Sequence, residues 1–339
     1  MSAARPRPRV GDAEPHLVAA TDPTPFPAAP ERTATIDDVA ALGARLRANV
    51  RAGVHLPAPV LDVVVTALLA GGHLLVEDNP GVGKTQLART LSSSLASSFS
   101  RIQATVDLLP SDIVGGNIWR PASETFEFQP GPVFANVVLV DELNRATPKT
   151  QSGLLEAMQE HQVTVDGVSH SLPAPFMVIA TQNPSAGYDG TYPLPPAQLD
   201  RFLARVSMGY PTAAQELALL SRGPSQVAPV SSPRELLAAQ DVVARVHASE
   251  ALLTYVVAVV AATREHPLID VGASPRAGLL LLAAARARAA LEGRDFVIPD
   301  DVQALAPVVL PHRLQVMGAA GIGAADEAVA DVLSRVPAR

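Results

Sequence analysis

The sequence LLVEDNPGVGKT, at residues 74–85, decides how the fold of this chain is interpreted. Its first three residues are apolar and predict a buried strand, and leucines at helical spacing follow at 86–95. A strand, a glycine loop and a helix in this order are typical of a phosphate-binding loop, where backbone N–H groups and a helix N-terminus surround an anion. Lys84 is predicted to reach the β- and γ-phosphates, and the Thr85 hydroxyl to ligate Mg²⁺.

The match to the strict loop pattern is incomplete, because Asp78 stands where that pattern has its first glycine. The alternative is an ordinary strand–turn–helix with a solvated lysine. We interpret the segment as a nucleotide site, because strand and helix flank it as the motif requires. The residues predicted to contact the nucleotide are Asp78, Asn79, Pro80, Gly81, Val82, Gly83, Lys84, Thr85 and Gln86.

Composition limits the remaining possibilities. The 339 residues suffice for two domains, and the absence of cysteine excludes disulfides, thiolate catalysis and cysteine-ligated zinc. A net charge of −7 without a long basic block argues against nucleic-acid binding. No apolar run reaches the roughly 18 residues of a membrane span, and no apolar stretch follows the N-terminal arginines as in a secretory signal. We therefore predict a cytoplasmic protein.

The order of elements predicts an α/β fold with a parallel sheet followed by a small all-helical domain. Residues 1–33, rich in proline and alanine, are predicted to be a disordered tail. The α/β core is assigned to 34–211, the helical domain to 212–315 and a C-terminal tail to 316–339. Alternating stretches near 113–128 and 163–172 predict two hairpins that project from the core.

Two acidic residues end the apolar strand at 137–140. Ligands gather at the carboxyl ends of parallel strands, so Asp141 could hold Mg²⁺ through water and Glu142 could polarise an attacking water. The alternative is a solvent-facing strand end that caps the next helix. Asn183 ends the next predicted strand, where a neutral amide can orient water beside a γ-phosphate. Alone, it would be an unremarkable turn residue.

Arg276 lies in the first turn of a helix that Ser274 caps and Pro275 opens. A cation there opposes the helix dipole, which indicates an anionic ligand, although a solvated surface arginine is the simpler alternative.

Taken together, these motifs resemble those of MoxR-family AAA+ ATPases, in the branch that also holds the magnesium chelatases and carries a helix-2 insert. The resemblance covers residues 35–315. The stretches that carry it are EDNPGVGKT (77–85), DLLPSDIVG (107–115), PGPVFANVVLVDELNRA (130–146), PKTQSGLLEAMQEHQVTVDG (148–167), IATQNP (179–184), GTYPLPPAQLDRFL (190–203) and SPRA (274–277).

This resemblance implies an AAA+ P-loop core with a parallel sheet, an all-α lid, and ATP with Mg²⁺ as ligands. The implied roles are Walker A for Lys84 and Thr85, Walker B for Asp141 and Glu142 with Glu142 as the catalytic base, sensor 1 for Asn183, sensor 2 for Arg276 and the arginine finger for Arg201. Arg145 is expected near a subunit boundary.

An arginine finger acts on ATP bound by a neighbouring subunit, so the resemblance also implies a ring, expected to be a hexamer, whose central pore the two hairpins line. Its expected work is ATP-driven remodelling or maturation of client proteins, including metal-cofactor insertion, together with a partner that contains a von Willebrand A domain. Two other functions stay open. One is a DNA-acting motor, which would need basic hairpins, and the other is a non-catalytic ATP-binding module, which would lack a base or a finger.

Overall fold

The computed structural model describes residues 34–79, 81–183, 191–222, 225–317 and 323–338, so the predicted N-terminal tail lies outside the described residues. The α-helices are α1 (Ile36–Gly53), α2 (Ala58–Leu69), α3 (Lys84–Ser94), α4 (Pro110–Val114), α5 (Pro148–Glu160), α6 (Pro196–Leu199), α7 (Ala213–Arg222), α8 (Pro233–Ala244), α9 (Glu250–Arg264), α10 (Pro275–Leu291), α11 (Pro299–Val309) and α12 (Ala324–Arg335). The strands are β1 (Leu74–Glu77), β2 (Phe99–Gln103), β3 (Gly115–Arg120), β4 (Thr125–Pro130), β5 (Val137–Asp141), β6 (Gln162–Val165), β7 (Val168–Ser171), β8 (Met177–Gln182), β9 (Ala204–Val206), β10 (Ile269–Val271) and β11 (Gln315–Val316).

Five strands form one parallel sheet in the order β2-β5-β8-β1-β9, which confirms the predicted fold class. Both faces of this sheet are buried, because successive side chains of a strand point to opposite faces. In β5, Val137 and Leu139 join one apolar cluster with α3 and the helical domain. Val138 and Val140 join the other cluster, with α5. This explains the unbroken apolar run that predicted the strand.

The two predicted hairpins are present as β3–β4 and β6–β7. They contact each other where Asn117 Nδ2 donates to Asp166 Oδ2 at 2.6 Å and where the rings of Phe128 and His170 stack at 3.7 Å between centroids. The hairpins therefore support one another outside the main sheet.

The helical part of the chain departs from its prediction in two respects. Strands β10 and β11 pair antiparallel, so this part is not all-helical. The C-terminal tail predicted for 316–339 is wrong over α12, which buries Ala328, Val329 and Val332. An ion pair between Asp326 of α12 and Arg205 of β9, at 2.8 Å, ties this helix to the core. Apolar positions at helical spacing explain why the segment folds back.

Among the described residues, every helix is too short or too polar to span a bilayer.

His73, just before β1, is a buried polar residue that connects two elements of the core. Its Nδ1 accepts from the Val178 N–H at 3.0 Å, so Nε2 carries the proton and donates to the Met158 carbonyl at 3.1 Å. Burial lowers the pKa of His73 from 6.5 to about 4, and the nearby His161 adds to this effect while the Met158 bond opposes it. Protonation at Nδ1 would also replace the acceptor of the Val178 bond with a donor.

We therefore expect His73 to make the fold acid-sensitive. The neutral imidazole contributes its full stabilisation above pH 6.5, and this stabilisation is lost as the pH falls towards 4. The loss occurs because the unfolded chain binds the proton more readily than the folded chain does. Over this range the free energy of unfolding should fall by about 3 kcal/mol. Urea unfolding at several pH values measures it. The His73→Gln side chain keeps a donor and an acceptor but does not titrate. In this variant the free energy of unfolding should fall with pH less steeply than in the wild type, by up to about 1.4 kcal/mol per pH unit. Equal slopes in both proteins would contradict this assignment.

Candidate functional site

The loop between β1 and α3 is shaped by two glycines with left-handed backbone conformations. Gly81 has φ +90° and Gly83, the residue that precedes α3, has φ +98°. A side chain would be strained at both positions, so this turn depends on glycine. Val82 between them is buried in the core and anchors the loop, whereas Asn79 is exposed. Pro80, also predicted to contact the nucleotide, lies outside the described residues.

Lys84 closes this loop on itself. Its Nζ donates to the backbone carbonyl of Asp78 at 2.6 Å. Burial lowers the pKa of Lys84, and the negative charges of Asp78, Asp141 and Glu142 oppose that shift. The ammonium is thus a partly desolvated cation at the mouth of a glycine loop, and an incoming anion would replace a single carbonyl as its partner.

The Asp78 side chain is directed at the protein rather than at a ligand. Its carboxylate accepts from the Ser207 hydroxyl at 2.8 Å, the Gly209 N–H at 3.3 Å and the Met208 N–H. Asp78 therefore joins the start of the loop to the segment after β9. This explains why an acidic residue stands where the strict pattern has glycine.

Gln86 has a similar joining role. Its Nε2 donates to the carbonyls of Gly53 at 3.1 Å and Ser225 at 2.7 Å, so both amide protons are engaged by the protein. Gln86 lines the cleft, but its amide nitrogen connects the end of α1 and the chain after α7 to the loop.

An open cleft of about 440 Å³ lies beside the loop, at the carboxyl ends of the central strands. It brings together Lys84 and Thr85 with Asp141, Glu142 and Asn183, which were predicted as site residues from separate parts of the sequence. Its lining residues are Asp78, Gly81, Gly83, Lys84, Thr85, Gln86, Arg89, Arg101, Gln103, Asp141, Glu142, Thr181 and Asn183.

One hydroxyl links the two acidic residues at the end of β5. Thr181 Oγ1 accepts from the Glu142 N–H at 2.9 Å and donates to Asp141 Oδ1 at 3.4 Å. Glu142 has φ +55°, which is uncommon for a residue with a side chain, and its carboxylate pairs with Arg145 Nη1 at 3.0 Å. The position of Arg145 near a subunit boundary stays a prediction. In this structure its guanidinium pairs with Glu142 of the same chain.

Sequence reasoning missed Arg101, which lies on β2 and lines the same cleft. Its Nε donates to Asp141 Oδ2 at 2.7 Å. No motif marked this residue, because the contact depends on the register that pairs Arg101 with Leu139 and Gln103 with Asp141.

Arg201 and Arg276 are not among the lining residues of this cleft. The two charges act on each other: burial lowers the pKa of Arg201, the charge of Arg276 lowers it further, and Glu156 and Glu160 oppose the shift. The Arg201 Nε is buried without a hydrogen-bond partner. A buried N–H group without a partner is costly, so this guanidinium has a donor available for a further anion.

Asp200 fixes the position of this arginine pair. Its carboxylate accepts from the Ser274 hydroxyl at 2.7 Å and from Arg313 Nε at 2.9 Å. Ser274 caps α10, the helix that begins with Pro275 and Arg276. Burial lowers the pKa of Arg313 to about 10, which the Asp200 charge opposes. One carboxylate thus holds the segments that carry both arginines.

Comparisons with known proteins identify the family of this chain. Residues 73–204 match the model of the ATPase family associated with various cellular activities (AAA), and 261–332 match the AAA lid domain. Chaperone MoxR1 of Mycobacterium tuberculosis is 44% identical over 75% of this chain and 71% of its own length. Protein MoxR of Methylorubrum extorquens is 31% identical over 75% and 82%, respectively.

The chain belongs to the MoxR family of AAA+ ATPases. YeaC of Bacillus subtilis is 50% identical over 74% of this chain and 79% of its own length. The crystal structure of a Cytophaga hutchinsonii protein, described as a candidate ATPase, superposes with a TM-score of 0.80 at 34% identity, covering 89% of this chain and 97% of that one. The predicted family and fold are therefore confirmed.

The cleft of this MoxR-family chain fits a magnesium–nucleotide complex. The described residues contain no cluster of three or more histidine and carboxylate side chains that could hold a metal by themselves. Thr85 and Asp141 offer a hydroxyl and a carboxylate oxygen, and Mg²⁺ is commonly bound by one or two such protein ligands together with phosphate oxygens and water. The glycine loop and Lys84 are suited to the phosphates.

Replacing Asp78 with the glycine of the strict loop pattern should destabilise this MoxR-family protein. In Asp78→Gly, three donors at 207–209 lose their acceptor, and we expect the free energy of unfolding to fall by roughly 3 kcal/mol. Asp78→Asn keeps one acceptor oxygen and should lose less. Chemical unfolding of both variants measures the difference. An Asp78→Gly protein as stable as the wild type would show that these hydrogen bonds do not support the loop.

Proposed function

We propose that this chain hydrolyses ATP in a cleft that is completed by a neighbouring copy, and uses the cycle to remodel or mature client proteins. The observation that carries this proposal is the separation of two sets of residues. Lys84, Thr85, Asp141, Glu142 and Asn183 surround one cleft. The arginine pair of the same chain does not line it. Arg201 and Arg276 would therefore serve the cleft of a second chain, in addition to the cations that already line each cleft.

Within the cleft, Lys84 would bind the phosphates and Thr85 with Asp141 would hold Mg²⁺. The metal would supply charge neutralisation at the β- and γ-phosphate oxygens. Glu142 would orient and deprotonate water as the general base, once Arg145 releases its carboxylate. Asn183 would position the same water through its neutral amide. Thr181 holds Asp141 and Glu142 in a fixed relation, so the metal ligand and the base would act from one rigid strand end.

Arg201 would act on the neighbouring ATP as an arginine finger. Charge that develops on the phosphoryl group is stabilised by a guanidinium supplied from outside the cleft. Asp200 links the segments that carry Arg276 and Arg201, so we assign Arg276 to the same neighbouring site. Such a head-to-tail arrangement satisfies every cleft when it closes into a ring, for which we propose a hexamer, and an isolated subunit would hydrolyse ATP poorly.

The clients and partners are proposed on family likeness. M. tuberculosis MoxR1 carries the name chaperone. A partner with a von Willebrand A domain, and metal-cofactor insertion as the form of client maturation, are consistent with this class of protein but rest on analogy. The cytoplasmic location stays a prediction.

The alternative functions receive less support. A DNA-acting motor needs free cations on its hairpins, but Arg120 pairs with Glu127 at 3.2 Å and His170 stacks on Phe128. A non-catalytic module would lack the base, yet Glu142 lines the cleft.

Mixing two inactive variants tests the shared site. Glu142→Gln and Arg201→Ala should each bind ATP with near-normal affinity but lose turnover by a factor of about 10³ or more. In a 1:1 mixture that exchanges subunits, about a quarter of the interfaces combine an intact cleft with an intact finger. Phosphate release should therefore recover towards a quarter of the wild-type rate. Arg276→Ala should complement Glu142→Gln in the same way if it serves the same interface.

A matched mixture of Lys84→Ala with Glu142→Gln provides the control. Every cleft in it is damaged while every finger is intact, so turnover should stay absent. The shared-site proposal would be abandoned if Arg201→Ala alone kept normal turnover, or if its mixture with Glu142→Gln recovered no more than the control.

A further inference from the structure

The ion pair between Arg101 and Asp141 engages the carboxylate that is proposed to hold the metal. Arg101 Nε lies 2.7 Å from Asp141 Oδ2, and Thr181 Oγ1 lies 3.4 Å from Oδ1, so both oxygens of this carboxylate already have partners within the chain. A carboxylate oxygen that coordinates a metal directly cannot keep a guanidinium along the same lone pair. Arg101 and a divalent cation therefore compete for the charge of Asp141 and for one of the two lone pairs of Oδ2.

The exposure of the two side chains indicates that this pair can exchange. The Asp141 side chain is 12% exposed, but that of Arg101 is 50% exposed. A half-solvated guanidinium loses little when it leaves, because water and other acceptors replace its partner. One acceptor is already nearby: Arg101 Nη2 lies 3.4 Å from Gln103 Oε1. The buried member of the pair is thus the fixed ligand, and the exposed member can move.

We propose that Arg101 is a built-in competitor for the divalent cation. In the nucleotide-free protein it neutralises Asp141, and Mg²⁺ must displace it when magnesium–ATP binds. Asp141 is thereby never an uncompensated buried charge, and the metal ligand becomes available only to a cation that arrives with additional phosphate ligands. The inference rests on the proposed function, since it requires Asp141 to contact the metal.

Arg89 offers a control of equal charge. It lines the same cleft from α3, but its guanidinium lies over the Phe99 ring at 5.3 Å from the centroid and makes no ion pair with Asp141. Replacing Arg89 removes one positive charge from the cleft without freeing the carboxylate. A general electrostatic effect would appear in both variants, whereas competition for Asp141 would appear mainly in one.

The test measures binding rather than turnover. Fluorescence of a labelled, non-hydrolysable ATP analogue is followed while Mg²⁺ is titrated, for the wild type and for Arg101→Met, Arg89→Met and Arg101→Lys. The Mg²⁺ concentration at half-maximal binding should fall about three- to fivefold in Arg101→Met, as expected for loss of a partly exposed ion pair. Arg101→Lys, which can still pair with Asp141, should lie between that variant and the wild type. Arg89→Met should shift clearly less than Arg101→Met.

Two results would overturn the inference. Arg101→Met could show the same Mg²⁺ requirement as the wild type, or Arg89→Met could shift by as much. In either case the wild type would still bind the analogue in a Mg²⁺-dependent way that is lost in Lys84→Ala, which leaves the proposed function standing. If the wild type binds no analogue at any Mg²⁺ concentration, the proposed function itself fails.

Discussion

The site depends on a parallel sheet that is buried on both faces. Because all five strands run the same way, the chain segments that leave β1, β5 and β8 emerge at one edge, and the register pairs Val140 with Ala180 and Leu75 with Ala180. Asp78, Asp141 and Asn183, which are far apart in sequence, therefore become neighbours. No local interaction could assemble them, so the chemistry is a consequence of how the apolar runs pack.

Placing charges at this edge creates a second requirement, since buried carboxylates are costly unless they are paired. The chain meets it with a different partner for each one. Asp78 accepts from the segment 207–209, Asp141 pairs with Arg101, and Glu142 pairs with Arg145. The Asp78 contacts are made by a buried carboxylate and support the loop. The other two involve half-exposed arginines, and this difference separates a residue that supports the loop from residues that can change partners.

The difference between local and long-range contacts explains why only part of the fold and of the site could be predicted from the sequence. The first strand, the glycine loop, the helix that follows it and both hairpins were predictable, because each has a local signature of spacing or turn residues. Strand β9 has only three residues, which carry too little pattern to predict, and α12 was missed because it lies within 316–339, the region assigned to a tail. The partners of Asp78 lie about 130 residues away in sequence, and the Arg101 contact depends on strand register. Both are products of tertiary structure that no local rule contains.

Asp200 shows how such long-range contacts could join separate parts of the cycle. Its carboxylate holds Ser274 at the start of α10 and Arg313 after α11, and it directly precedes Arg201. The Arg313 side chain is only 1% exposed, so this connection is not a surface contact that solvent can replace. A movement that separates the helical domain from Asp200 would break the Ser274 hydrogen bond and also the buried Arg313 ion pair, and the second loss costs several kcal/mol. The segment that carries Arg201 and the helical domain are therefore expected to move together.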